Sequence, residues 1–175
     1  MILRGKCLLD TLDKRCDRYI SAIVLGLNDA LVEMTGALAG FTMALHDNRL
    51  IALAGLTTGV AATLSMAASE FLAKKADPAA RHPYTAAIYT GTTYLITVAL
   101  LLLPFFMLDD PFTSLGCCLL TAASIITMFT WAVARLRQKP FLGNCLQMLS
   151  ISFSVSAIAF GISWAARYFW DLKGM

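Results

Sequence analysis

Five long runs of apolar residues separated by short polar breaks make up most of this chain, at about residues 18–45, 50–73, 85–108, 112–134 and 143–169. Each is long enough to cross a bilayer, which takes about 20 mainly apolar residues in a helix. The breaks carry ordinary stop signals: His46, Asp47 and Asn48; the stretch 74–83 with its lysines and prolines; Asp109, Asp110 and Pro111; and residues 135–140. The pattern predicts an all-α polytopic membrane protein with five transmembrane helices. The connections leave no room for a soluble unit, so residues 1–175 are expected to form a single transmembrane domain.

Composition agrees, with 58% hydrophobic and only 14% charged residues. The net charge of +3 does not argue for nucleic acid, because the bases collect between apolar runs and form no continuous stripe. Five Lys or Arg precede the first run, three lie in the second connection and three in the fourth; the other side carries one, none and two. Eleven bases thus oppose three, and the positive-inside rule places the N-terminus in the cytosol and the C-terminus outside. An odd number of spans requires the same arrangement.

The first 19 residues lack the apolar core and cleavage site of a secretory signal. Ile2, Leu3, Leu8, Leu9 and Leu12 alternate with charges there, as in a short amphipathic helix lying on the membrane surface. Cys7, Cys16, Cys117, Cys118 and Cys145 form no metal-binding spacing and read as small hydrophobes or reduced thiols. His46 and His82 fall in connections on opposite sides and do not form a joint site.

Three carboxylates inside apolar runs carry the candidate chemistry. A charge near the bilayer centre costs at least about 2.5–3.5 kcal/mol on insertion scales, so an intramembrane acid points to an ion or proton site. Asp29 and Glu33 are four residues apart on the first span, and Met66 and Glu70 are four apart on the second, so each pair shares a helix face. At 1.5 Å per residue, Asp29 lies about 16 Å from Arg18 and Met66 about 12 Å from Lys74, while Glu70 lies about 6 Å and Glu33 about 22 Å from the cytosolic end. The expected ladder is Glu70, then Met66 with Asp29, then Glu33. Carboxylate oxygens suit divalent cations, and a thioether tilts the set towards transition metals and away from Mg²⁺ and Ca²⁺. A carboxyl group removed from water tends to hold its proton while a cation favours the ionised form, so metal and proton binding compete.

Plainer roles exist for several of these residues. Met66 can be core packing, and Glu70 stands one turn from Lys74, the spacing of an interfacial salt bridge. Ser65 and Ser69 add hydroxyls to the Met66 and Glu70 stripe or satisfy local carbonyls. Gly36 with Gly40, Gly55 with Gly59 and, more weakly, Ala157 with Gly161 permit close helix approach, either across a dimer or within one chain. Asp109 and Asp110 serve departing cations or simply a solvated turn, and Pro104 is expected to kink the third span.

The stretches VLGLNDALVEMTGALAGFTMAL and LIALAGLTTGVAATLSMAASEFLAKKAD resemble the vacuolar iron transporter family, whose first span carries an N-D-G-L-V-E type motif and whose second carries S-M-A-A-x-E. The likeness covers about residues 20–77. It implies a five-helix homodimer with the first spans lining a path at the two-fold axis, and proton-coupled export of Fe²⁺ or Mn²⁺ from the cytosol. By that resemblance the metal-site residues are Asp29, Glu33, Met66 and Glu70. Two features depart from the family pattern. Ala30 replaces the motif glycine, and the short 74–83 connection stands where many members insert a Glu-rich cytosolic metal collector.

The expected function is therefore metal/proton antiport in a plasma membrane if the cell is prokaryotic, or a vacuolar membrane if eukaryotic. The partners are the metal ion, protons, lipid and a second copy of the chain, with no nucleic acid. The metal is cargo, and no cofactor is expected. The alternative is a non-transporting membrane scaffold or regulatory partner that keeps the fold. No nucleophile with a base, His cluster or phosphate loop suggests an enzyme.

Overall fold

A computed structural model describes residues 2–45, 47–78, 82–137 and 141–173, with side chains described between 20 and 169 except beside the gaps. The described residues form five helices: α1 Ile2–Leu45, α2 Asn48–Ala76, α3 Pro83–Met107, α4 Pro111–Arg137 and α5 Phe141–Lys173. All five are long and apolar enough to cross a membrane, over Ile20–Leu45, Asn48–Ala76, Pro83–Met107, Pro111–Arg135 and Phe141–Phe169. The expected spans are thus found to within a few residues at their ends.

Local chemistry sets several boundaries. Asp47 caps α2, its carboxylate accepting from the backbone N–H of Arg49 at 2.8 Å and of Leu50 at 3.4 Å. Proline occupies the first position of α3 and of α4, where its missing N–H has no helical partner to lose. Asp110 closes the start of α4 by accepting from the N–H of Thr113 at 2.7 Å and from its hydroxyl at 2.6 Å. Those bonds hold its carboxyl below the ordinary aspartate range. Pro104 sits in the last turn of α3, where the Leu108 N–H closes onto its carbonyl at 3.0 Å.

The N-terminal stretch differs from expectation. Residues 2–19 do not form a separate surface helix; they run without a break into the first span as one helix of 44 residues. No proline interrupts this stretch, and its leucines, lysines and arginines are good helix formers.

The first helix is the hub of the bundle and packs against each of the other four. The fully buried centre joins Leu31, Met34 and Leu38 of α1 to Ile51 of α2, Tyr94, Leu101 and Leu102 of α3, and Cys118 of α4. Lipid tails are as apolar as these side chains, so close fit and polar ties hold the helices together more than exclusion from water does. Glycines supply the fit. Gly36 and Gly40 receive Val155, Ala159 and Ser163 of α5, and Gly55 and Gly59 receive Leu102 and Val98 of α3. Both strong small-residue motifs are therefore used within one chain, whereas Gly161 faces open space. Polar ties add to this, as Thr35 of α1 bonds Ser152 of α5 at 3.0 Å and Arg167 of α5 donates to the Met43 carbonyl near the end of α1 at 3.3 Å.

Candidate metal path on the first helix

Asp29 and Glu33 lie on the part of α1 that its neighbours leave partly open. Ala30, Leu31 and Met34 are fully buried against the bundle. Leu25 and Glu33 are exposed, and Asn28, Asp29 and Val32 are half-buried. This follows from helical periodicity, since residues four apart return to one face while the intervening ones turn inward. Ala30, the position at which the resembled motif has glycine, is fully buried.

Asp29 opens onto a cleft of about 410 Å³ whose other walls include Ser21, Asn28 and Val32 of α1 and Met148 of α5. Glu33, one turn further along, accepts a hydrogen bond of 2.6 Å from the Tyr94 hydroxyl of α3. A phenol donating to a carboxylate makes a short, charge-assisted bond, and it holds the acid in one orientation. Asp29 and Glu33 stand one helical turn apart on α1. Two carboxylates so spaced offer a divalent cation more than one oxygen ligand.

The second-helix residues have different surroundings. Met66 is half-buried and packs against the hydrophobic core. Glu70 is buried and pairs with Lys74 at 3.6 Å, the one-turn salt bridge that their spacing predicts. Ser65 and Ser69 are exposed. Among the described residues, no three His, Cys, Asp or Glu side chains gather closely enough to hold a metal ion within one chain. The acids of α1 form a pair, and Glu70 has its own partner.

Other candidates resolve more simply. Cys118 and Cys145 are buried free thiols in the apolar core, as expected of small hydrophobes. The side chains of Cys7 and Cys16, and His46, lie outside the described residues. His82 precedes α3 and is exposed. Asp110 spends its carboxylate on Thr113, the role of a turn residue.

Tyr94 is a functional neighbour that no local spacing in the sequence singles out. Membrane tyrosines usually sit at the interface belts, so one in the middle of an apolar span is a signal in itself, and a buried hydroxyl needs a partner. Its partner could not be read off, because Glu33 lies 61 positions away.

Comparison with curated proteins gives no match for this chain. Residues 20–81 match the model of the VIT family, a stretch that takes in the membrane part of α1, all of α2 and the connection after it. That match makes the chain consistent with a member of the VIT family and so suggests a metal-ion transporter.

Proposed function

We propose that this chain exports a divalent transition metal, Fe²⁺ or Mn²⁺, from the cytosol in exchange for protons, working as a homodimer. The observation that carries this reading is Asp29 facing an open cleft within a membrane span, beside a second acid, Glu33, on the least covered face of α1. Such a pair binds protons or a divalent cation in competition, which is the physical basis of exchange. A second copy against the same face would bring two further acids to the path, compensating for the lack of a three-ligand cluster among the described residues of one chain. Met66 and Glu70 are assigned as the second-helix contributors, Glu70 exchanging its Lys74 partner for the cation as it passes. The base distribution supports taking the side of the α1 N-terminus as the metal source.

The test is uptake by purified protein in liposomes. Fe²⁺ or Mn²⁺ should enter with an opposing proton flux, and Asp29→Ala should abolish it; undiminished uptake by that variant would overturn the assignment. The Glu70–Lys74 ion pair favours a second reading, a scaffold that retains the fold without moving metal. Under it, cells carrying Asp29→Asn and Glu33→Gln together should match wild type in metal-dependent growth.

A further inference from the structure

The cleft at Asp29 continues sideways. Val24, Asn28 and Met148 line both this cleft and a second cavity of about 270 Å³ between α1, α4 and α5. The second cavity is also lined by Thr130 of α4 and by Asn144 and Gln147 of α5. Asn144, Gln147 and Met148 stand at i, i+3 and i+4, so one face of α5 presents two amides and a thioether. Met148 is seven residues from the first residue of α5, about 10 Å along the helix.

This lining is chemically distinct from the carboxylates beyond it. Amide and hydroxyl oxygens offer lone pairs without formal charge, and a thioether favours transition metals over Mg²⁺ and Ca²⁺. Neutral donors replace part of a cation's water shell but hold it weakly, as a transit site requires. The first full negative charge an ion would then meet is Asp29, the neighbour of Asn28. Amides placed against hydrocarbon would be costly; Asn28 and Asn144 are half-buried in the cavity lining, and Gln147 lines it as an exposed residue.

We propose that Asn28, Asn144, Gln147 and Met148 form an uncharged waiting site for a divalent transition-metal ion, feeding Asp29 from the side. This rests on the transport reading above and adds a donor set on α5, outside the stretch that matches the VIT family.

Oxidation of individual methionines tests it on the wild-type protein in detergent, with Cd²⁺ as a redox-inert, sulfur-binding probe. Dilute hydrogen peroxide is applied with and without Cd²⁺, and sulfoxide is followed at Met148 and at Met107, an exposed residue at the end of α3. At Cd²⁺ about ten times Kd the fraction of free sites falls about tenfold, and Met148 oxidation should slow to match while Met107 does not. Replacing Asn144 and Gln147 by leucine should remove the protection. Equal Met148 oxidation with and without Cd²⁺ would overturn the waiting site. In liposomes, Met148→Leu should lower the preference for Mn²⁺ over Mg²⁺ severalfold. If Met148→Leu transports with unchanged selectivity while Asp29→Ala is inactive, the waiting site fails and the Asp29 reading stands. If Asp29→Ala transports normally, both fail.

Discussion

The Tyr94 hydroxyl of α3 donates to Glu33 Oε2 of α1 at 2.6 Å, joining a fully buried aromatic ring to an acid at the open edge of the bundle. This bond fixes where Glu33 points, and it ties the helix that carries the candidate site to the one packed behind it.

Removing the hydroxyl with Tyr94→Phe keeps the ring and loses the bond. Hydrogen bonds to charged groups contribute about 1.5–3 kcal/mol, so the variant should be less stable by about that amount. Combining it with Glu33→Gln should cost clearly less than the sum of the single changes, because both act on one interaction. Thermal unfolding in detergent for the four proteins of the cycle measures this, and strict additivity would show that the bond contributes nothing.

Backbone contact between α1 and α3 gives a second prediction. A β-carbon on Gly26 would collide with the Thr90 carbonyl oxygen, and the Thr90 hydroxyl itself donates to the Ala22 carbonyl at 3.2 Å. Gly26→Ala should destabilise by about 1–3 kcal/mol through overpacking, although alanine is the better helix former. Gly116→Ala, with nothing within 4 Å of the added carbon, should instead gain up to about 1 kcal/mol. The two melting temperatures should therefore move in opposite directions.

At the end of the bundle where α2 begins, Asn48 ties three helices together. Its amide nitrogen donates to the Leu108 carbonyl at 2.5 Å and to the Ser114 hydroxyl at 2.8 Å. Asn48→Leu should cost about 1–3 kcal/mol. Asn48→Asp should cost more, since a carboxylate cannot donate to the Leu108 carbonyl and would be buried as a charge. Unfolding midpoints ranked wild type, then leucine, then aspartate would bear this out.

Acid should weaken the start of α4. Bonds from Thr113 depress the Asp110 carboxyl in the folded protein, so its contribution is present above the unfolded carboxyl range and fades as pH falls below about 4. Wild type should melt above Asp110→Ala at pH 6, and the gap should narrow as the pH falls below about 4.

Much of this architecture is written in the chain itself. Runs of 20 or more apolar residues leave little choice but membrane helices, and the Glu70–Lys74 pair follows from one helical turn. What the chain does not display is which helix receives which face. Gly36 and Gly55 announce close contact but not that α5 and α3 supply it, since small residues fit any partner. Tyr94 and Met148 reach the acids of α1 only through the packing of α3 and α5, and no local spacing records such long-range juxtapositions.

Asp29 and Glu33 ride on one proline-free rod about 66 Å long, roughly twice the thickness of the hydrocarbon layer. With continuous helix between them, the backbones that carry the two acids move together. Any cycle that shows them first to one compartment and then to the opposite one must move the helical turn that carries both, or shift the surrounding helices past it.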